Sequence, residues 1–338
     1  MDRRMVVLFV MLFCSAKARS ENRLSVFRQD DKENVVWKAR ERGVPAGTVV
    51  WTQSGLFWSA ADIYVHDTVH RNFSRPGRLP VSGRMMESEI DGHLAAGLTD
   101  VGRRAHVARA RSAGELVFHQ RYGIYVYDRE LRQESAVVSY GHDVLLGPML
   151  VDPFGSLFFA RRRAADRRWE VNRWNLAHTY SSDDDDIFLI DTGTREINDM
   201  TYQPNGHRLL LVLDARVVVQ FSIADPLATN RTIMKVSDTH TRIESILAVD
   251  DGSLYVAVSS TEQTGGCIFQ HSLSSKAKLP VRLIDFNGVC HHRRQDQSSL
   301  VVARTEHVPV SFAFNSRASE LYVLSRSRRP FSREKSEL

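Results

Sequence analysis

Short apolar strands separated by turns that carry glycine recur along the chain, most clearly in residues 197–273. Two consecutive copies begin at Ile197 and Ile246, and each copy holds an apolar strand, a turn and two further apolar strands. The turn glycines, Gly206 and Gly252, lie 46 residues apart. A repeat of roughly 40–50 residues that is built from short strands is typical of β-propeller blades.

The residues of the two turns suit hairpins. Gly206 follows Pro-Asn and Gly252 follows Asp-Asp, and glycine adopts the positive φ of a hairpin tip without steric cost. The flanking runs are rich in Val, Ile, Leu and Tyr, which favour buried strands. Each copy therefore predicts one antiparallel sheet.

Four further stretches follow the same order more loosely, around Gly55, Gly114, Gly155 and residues 310–324. Such sheets bury their apolar faces when they stack around an axis. The sequence thus predicts an all-β fold, a β-propeller for which six blades are favoured. Five or seven blades stay open because residues 79–100 have room for an extra strand pair, and a β-sandwich is the alternative fold.

The last copy ends near Leu324 without outer strands of its own. A propeller closes its ring because open sheet edges expose unpaired backbone groups. We therefore expect a strand from the start of the mature chain, residues 24–27 or 35–37, to complete this blade.

The first 18 of the 338 residues have the features of a signal peptide. Arg3 and Arg4 precede a ten-residue apolar run, and Ala16 and Ala18 fit a small-x-small cleavage site. No other stretch reaches the length of a transmembrane segment. The sequence predicts a secreted chain with a propeller domain at 19–330 and a C-terminal tail at 331–338.

Two smaller features bear on export. Asn72 and Asn230 begin Asn-x-Ser/Thr sequences, which are acceptors of N-linked glycans. Residues 335–338, Lys-Ser-Glu-Leu, are similar to the Lys-Asp-Glu-Leu signal for retention in the endoplasmic reticulum, with Ser336 in place of the acidic residue. We expect an extracellular glycoprotein, with retention as the alternative.

The charge of the chain is moderate. The formal net charge is +5 and falls to +3 without residues 1–18, which carry Asp2, Arg3, Arg4 and Lys17. Arginines cluster at 161–163 and 326–329, and such clusters are either solvated loops or contacts for polyanions. For an exported chain we expect no nucleic-acid partner.

No common catalytic sequence motif occurs, neither a Gly-x-Ser-x-Gly elbow, a His-Glu-x-x-His helix nor a phosphate-binding loop. Propellers bind ligands at the axis or on the face where inner-strand loops meet. Polar residues just before inner strands are therefore the ligand-binding candidates: His106, His142, Asp143, Asn198, Asp199, Glu244 and His307. Aromatic residues either line such a pocket or pack between blades, and they include Trp51, Trp58, Tyr125, Tyr127, Tyr202 and Tyr255.

Residues 197–209, Ile-Asn-Asp-Met-Thr-Tyr-Gln-Pro-Asn-Gly-His-Arg-Leu, resemble a blade of the SMP-30/gluconolactonase family of six-bladed, metal-dependent lactonases. The resemblance implies that Asn198 would help to hold a divalent metal such as Ca²⁺ or Zn²⁺. It also implies an Asp in the next blade within Asp-Gly-x-x-x-Asp, where this chain has Glu244 out of register with Asp250. We therefore predict no metal site and no metal cofactor.

A second resemblance is to the ommochrome-binding proteins of insects, secreted carriers of a tryptophan-derived pigment. It rests on Gly-Ile-Tyr-Val-Tyr-Asp at 123–128, Gly-Ser-Leu-Phe-Phe at 155–159 and Ile-Asn-Asp-Met at 197–200. It implies a small aromatic ligand.

These observations favour a non-catalytic propeller that binds a small ligand, such as an aromatic molecule, or an extracellular protein partner. The first alternative is a lactonase-like hydrolase that uses Ca²⁺ or Zn²⁺. The second is an adhesion or matrix module that uses its rim. An axial cluster of metal ligands would favour the enzyme, and an apolar axial pocket would favour the carrier. The oligomeric state is not predicted.

Cys267 and Cys290 are the only cysteines outside residues 1–18. An even count in an exported chain favours pairing, so we predict a disulfide between them. The proposed geometry is a hairpin in which residues 267–273 and 280–286 are antiparallel neighbours. Such a hairpin would place Cys267 opposite residues 286–290.

Overall fold

A computed structural model gives the fold of the chain. It describes residues 22–27, 34–38, 49–52, 55–60, 62–66, 77–78, 94–95, 116–120, 123–128, 133–140, 144–152, 154–176, 187–226, 230–249, 252–273, 281–290, 299–315 and 320–326. Nearly all of these residues lie in β-strands or in the turns between them. No helix in these ranges has the length and apolar character that crossing a membrane requires.

The strands of the N-terminal half are short. They are β1 (Asn22–Phe27), β2 (Asn34–Lys38), β3 (Val49–Thr52), β4 (Gly55–Ala60), β5 (Asp62–His66), β6 (Gly77–Arg78), β7 (Leu94–Ala95), β8 (Leu116–Gln120), β9 (Gly123–Asp128) and β10 (Gln133–Ser139).

The rest of the chain contains one short helix, α1 (Phe286–Cys290), and strands that are mostly longer than those before them. The strands are β11 (Val144–Val151), β12 (Ser156–Arg163), β13 (Trp169–Asn175), β14 (Ile187–Gly193), β15 (Ile197–Gln203), β16 (Arg208–Leu213), β17 (Val217–Ser222), β18 (Asn230–Val236), β19 (Thr241–Ala248), β20 (Ser253–Ser260), β21 (Gly266–Ser272), β22 (Arg282–Ile284), β23 (Ser299–Thr305), β24 (Val308–Asn315) and β25 (Glu320–Arg326).

The described strands form six sheets, which we number in chain order by their inner strands. Sheet 1 is β3-β4-β5-β6, sheet 2 is β7-β8-β9-β10, sheet 3 is β11-β12-β13-β14, sheet 4 is β15-β16-β17-β18-β22, sheet 5 is β19-β20-β21-β23 and sheet 6 is β24-β25-β1-β2. The inner strands contact one another in the closed order β3, β7, β11, β15, β19, β24 and back to β3. The all-β propeller predicted from the sequence is confirmed.

Sheet 6 is completed by the start of the chain, as predicted. Strand β1 pairs with β25, so that Leu24 lies opposite Leu324. Strand β2 then pairs with the free edge of β1. Both N-terminal segments, rather than one of the two, therefore supply the outer strands.

The core lies between neighbouring sheets because the middle strands bury both of their faces. Leu209 and Leu211 of β16 pack toward sheet 3, and Leu210 of the same strand packs toward sheet 5. Strand β20 repeats this alternation, with Val256 on the side of sheet 4 and Tyr255 on the side of sheet 6. Burying each large apolar side chain contributes about 1.5–3 kcal/mol, so the packing between sheets stabilises the ring.

The two turns that revealed the repeat have the predicted conformation. Gly206 has a φ of +96° and Gly252 a φ of +82°. Both values lie in the region that residues with a Cβ atom rarely adopt. The Gly206 turn joins β15 to β16, and the Gly252 turn joins β19 to β20.

Sheet 2 differs from the sequence interpretation. Its inner strand is Leu94–Ala95, which pairs with Phe118 and Val117 of β8. This strand lies inside residues 79–100, the segment in which the sequence leaves room for an extra pair of strands. His106 follows this inner strand in the chain and lies outside the described residues, so its axial position stays a prediction.

The predicted disulfide between Cys267 and Cys290 is confirmed, with a Cα–Cα distance of 5.9 Å. The predicted hairpin is wrong, because β21 pairs with β20 and β23. The chain instead leaves sheet 5 to add β22 in parallel to β18 of sheet 4, and it then forms α1. The disulfide joins the end of α1 back to β21.

Candidate axial site on the upper face

The inner strands all run in one direction, so the propeller has two distinct faces. We call the face where inner strands begin the upper face and the face where they end the lower face. Asn198 and Glu244 lie near the starts of β15 and β19, and His307 lies just before β24. His142 and Asp143 precede β11 but fall outside the described residues. Asn198, Glu244 and His307 are thus placed at the upper face.

Asn198 and Glu244 occupy the same structural position in neighbouring inner strands. The register of β15 against β16 shifts between Ile197 and Asp199, and the register of β19 against β20 shifts between Ile243 and Ser245. Each candidate is therefore the extra residue of a β-bulge, a feature that redirects side chains and is frequent beside binding sites. Strands β11 and β24 carry the same irregularity, at Gly147 and Pro148 and at Val310.

The bulges correct one sequence interpretation. Glu244 appeared out of register when it was compared with Asp250. Measured to the turn glycine, Asn198 and Glu244 are both eight residues upstream, of Gly206 and Gly252 respectively. The two side chains are equivalent in the repeat. The expectation that no metal is bound stays a prediction.

Asn198 stabilises the turn between β16 and β17. Its Oδ1 accepts a hydrogen bond from the backbone N–H of Ala215. Ala215 has a φ of +54°, and its carbonyl accepts a hydrogen bond of 2.8 Å from the N–H of Ile243 in the next inner strand. The amide of Asn198 therefore fixes a strained turn that connects sheets 4 and 5.

Asp199 connects the same two sheets directly. Its Oδ2 accepts hydrogen bonds from Ser245 Oγ at 2.7 Å and from the N–H of Ile246 at 2.8 Å. Its Oδ1 accepts a third from the N–H of Met200 at 2.8 Å. Burial raises the pKa of Asp199 from 3.8 to about 6, although these three hydrogen bonds act in the opposite direction.

Polar side chains at two further positions of inner strands also accept hydrogen bonds from the next blade. Ser311 follows the bulge of β24, as Asp199 follows that of β15, and its Oγ accepts a hydrogen bond of 3.1 Å from the N–H of Val49. Thr201 Oγ1 accepts one of 3.1 Å from the N–H of Ala248. Sequence reasoning missed Ser311 and Thr201, because a short polar residue inside an apolar strand does not by itself indicate a contact with the next blade.

Glu244 connects sheet 5 to sheet 6. Its Oε1 accepts a hydrogen bond from Ser259 Oγ, and its Oε2 lies 3.7 Å from Arg326 Nη2. The side chain of Glu244 is only 10% exposed, whereas that of Arg326 is 56% exposed. The carboxylate is therefore paired on both oxygens and is largely enclosed.

The remaining candidates lie in turns or in the core. His307 is partly buried, and its carbonyl accepts a hydrogen bond of 2.6 Å from Thr305 Oγ1. Tyr255 is buried and stacks on Phe314 of sheet 6 with the ring centroids 5.5 Å apart. Tyr202 is also buried and contacts His207 near the lower face. These two tyrosines therefore pack between blades and do not line an axial pocket.

A divalent metal would need several oxygen or nitrogen ligands together. Within the described ranges, no group of three or more His, Cys, Asp or Glu side chains is arranged to hold a metal ion. Asn198 Oδ1 is hydrogen-bonded to Ala215, Glu244 Oε1 is hydrogen-bonded to Ser259, and Glu244 Oε2 forms an ion pair with Arg326. These residues therefore fit a metal poorly in the described conformation.

The rim of the upper face carries exposed charges of both signs on sheets 3 and 4. Arg195 pairs with Asp214 at 2.9 Å, and both side chains are 43% exposed. Arg168 pairs with Asp191 in the same way. Each exposed pair contributes little to stability, typically about 0–1 kcal/mol, so the rim charges remain available for contacts with other molecules.

Comparison with known proteins supports the fold. No protein-family profile matches the chain, and no curated protein matches it in sequence. A chain from the crystal structure of a nidogen/laminin complex superposes with a TM-score of 0.50 at 11% identity, covering 75% of this chain and 89% of that one. Regucalcin from Agrobacterium tumefaciens strain C58, a calcium-binding protein, superposes with a TM-score of 0.52 at 8% identity, covering 85% and 92%. At these identities the similarity is one of fold.

Proposed function

We propose that the chain is a secreted, non-catalytic β-propeller that binds an extracellular protein partner through its upper face. The observation that carries this proposal is that the axial polar residues are already hydrogen-bonded to other parts of the protein. Asn198, Asp199 and Glu244 all hold neighbouring strands together through hydrogen bonds. Residues used in this way support a binding scaffold better than a reaction centre.

The composition of the upper face supports a protein as the partner. Exposed Arg168 and Arg195 alternate with exposed carboxylates along the rim, and Leu145 near the start of inner strand β11 is 45% exposed. Exposed apolar and charged side chains occur together in protein interfaces. The fold is also that of a chain from a nidogen/laminin complex, and the proposal extends that protein-binding role to this chain by analogy.

Native mass spectrometry of the secreted protein, taken directly from medium after gentle cross-linking, tests this proposal. We expect a polypeptide retained in fixed stoichiometry. A double variant, Arg168→Glu with Arg195→Glu, should lose it because two exposed charges of the rim are reversed. Arg208→Glu is the matched control, since Arg208 is exposed at the lower face. A small molecule retained without any polypeptide would instead support the carrier alternative.

One observation favours the hydrolase as the second candidate. Asn198 and Glu244 lie at equivalent bulges of adjacent inner strands, and regucalcin, which shares the fold, binds calcium. The hydrolase predicts turnover of a simple lactone that stops with a chelator, returns with Ca²⁺ or Zn²⁺ and is lost in Asn198→Ala. The binding propeller predicts no turnover above the uncatalysed rate under any of these conditions.

A further inference from the structure

A second cluster of polar and aromatic side chains lies on the lower face, between the turns that end β11 and β15. Asp152 and Phe154 belong to the turn of sheet 3, and His207 belongs to the turn of sheet 4. The rings of Phe154 and His207 are 5.2 Å apart with an interplanar angle of 36°. The cluster is at the opposite end of the ring from Asn198 and Glu244, so it is independent of the proposed protein-binding face.

Asp152 places a carboxylate with spare hydrogen-bonding capacity in this cluster. Its Oδ1 accepts hydrogen bonds from the N–H groups of Phe154 and Ser156, at 2.9 and 2.8 Å. Its Oδ2 accepts none from the described residues. The residue is 4% exposed, and a carboxylate that has lost most of its hydration gains strongly from a cationic partner.

Arg173 supplies the opposite charge. Its Nε and Nη2 donate hydrogen bonds to Ser156 Oγ, at 3.1 and 2.8 Å, which leaves Nη1 for another acceptor. The guanidinium lies close enough to Asp152 to lower the pKa of that carboxyl, although burial outweighs it and the net pKa is raised. Ser156 bonds to both groups, so the two opposite charges are held near each other by a common neighbour.

The aromatic part of the cluster is accessible. Phe154 is 50% exposed, and His207 is exposed beside it. The His207 ring is held in place because its Nδ1 is hydrogen-bonded to the hydroxyl of Tyr202 at 2.7 Å. An exposed aromatic pair, with one ring held in place, is a platform on which a planar group stacks.

We propose that this lower-face site binds free α-amino acids with a planar side chain. The ammonium group pairs with Asp152 Oδ2, the carboxylate with Arg173 Nη1, and the side chain stacks on Phe154 and His207. A zwitterion fits better than a simple cation or anion because the site presents one charge of each sign. Each charge-assisted hydrogen bond lost should weaken binding on the order of tenfold or more.

Titration calorimetry with L-phenylalanine, N-acetyl-phenylalanine, phenylalanine methyl ester and alanine tests the ligand chemistry on the unmodified protein. We expect saturable binding of phenylalanine. The acetylated form lacks the ammonium, the ester lacks the carboxylate and alanine lacks the ring, so each should bind at least about tenfold more weakly. Equal binding of the acetylated form or of the ester, or no saturable binding of phenylalanine to folded protein, would overturn the proposal.

Variants locate the site. Asp152→Asn keeps an oxygen for the Phe154 and Ser156 N–H groups but removes the charge, so phenylalanine binding should fall on the order of tenfold. Phe154→Ala should weaken it several-fold, and Phe188→Ala should not, although Phe188 is equally exposed at 50% on β14 of the same sheet. Equal losses in the two phenylalanine variants would contradict the assignment. Should Asp152→Asn fail to fold, the comparison of Phe154→Ala with Phe188→Ala decides.

The Arg168→Glu, Arg195→Glu double variant separates this site from the upper face. It should bind phenylalanine as the unmodified protein does, whatever its effect on a protein partner. A parallel loss of phenylalanine binding in that variant would place the ligand on the upper face and overturn the proposal.

Discussion

Asp199 accepts a hydrogen bond of 2.7 Å from Ser245 across the boundary between two blades. Ser245 occupies in β19 the position that Asp199 occupies in β15, so these two blades meet through residues from the same step of the repeat. The contact shows how a ring of separate sheets is held in register near its axis. It also provides a titratable group at the boundary.

The Asp199 carboxyl should make stability depend on pH. Its pKa is about 6 in the folded protein and 3.8 when exposed, so between these values the unfolded chain releases the proton first. The resulting stabilisation is complete below pH 3.8 and is lost as pH rises through about 6, a loss of about 3 kcal/mol. Urea unfolding from pH 4 to 8 measures the free energy of unfolding of the unmodified protein and of Asp199→Asn. As pH rises, this free energy should fall in the unmodified protein relative to the variant, which lacks the carboxyl.

Ser245→Ala provides the matched test of this assignment. The Ser245 hydroxyl lowers the pKa of Asp199, so its removal should raise that pKa further and extend the pH-dependent range upward. A pH profile unchanged by both variants would show that Asp199 is not the group responsible.

The closing strand β1 should be essential for stability. Leu24 is fully buried and pairs with Leu324 and Trp37 in sheet 6. Leu24→Ala should lower the free energy of unfolding by about 2–5 kcal/mol, as measured by urea unfolding, whereas Lys38→Ala at the exposed end of β2 should change it little. Deletion of residues 19–40 should abolish secretion of folded protein. A normal yield and an unchanged melting curve after that deletion would contradict the closed ring.

The disulfide should stabilise the segment that crosses from sheet 4 to sheet 5. Its two cysteines are 23 residues apart, for which the loop-entropy model gives about 3 kcal/mol. The Cys267→Ser, Cys290→Ser variant should lose about this much free energy of unfolding. Hydrogen exchange at the Phe286 amide should also be faster in this variant. That amide donates to Thr241 Oγ1 at 2.8 Å in the intact structure.

Reducing agent supplies the control for this variant. It should destabilise the unmodified protein and leave the double-serine variant unaffected. Equal stability of the two proteins without reductant would mean that the bridge adds nothing to the fold.

The sequence predicted those features that depend on local chemistry. Gly206 and Gly252 revealed the repeat because only glycine suits their φ angles, and the even count of cysteines outside residues 1–18 predicted the Cys267–Cys290 pair. The pairing of β22 with β18 was not predictable, because a three-residue strand added in parallel has no periodicity of its own. Long-range register is set by tertiary packing, which a single sequence does not encode locally.

The candidate site shows the same division. The position of Asn198 at the upper face followed from the repeat. The bulges that make Asn198 and Glu244 equivalent did not, since an extra residue in a strand has no sequence signature distinct from a register error. The hydrogen bonds of Asn198 to Ala215 and of Glu244 to Ser259 depend on turns and strands from other parts of each blade.

Titration of the purified protein with Ca²⁺ and with Zn²⁺, followed by calorimetry, tests most directly whether the axial polar residues serve the architecture. We predict no saturable binding in the unmodified protein, and a lower melting temperature in Asn198→Ala and in Glu244→Ala because each loses a hydrogen bond that joins strands. Stoichiometric metal binding that disappears in Asn198→Ala would contradict this account and would establish the axis as a metal centre.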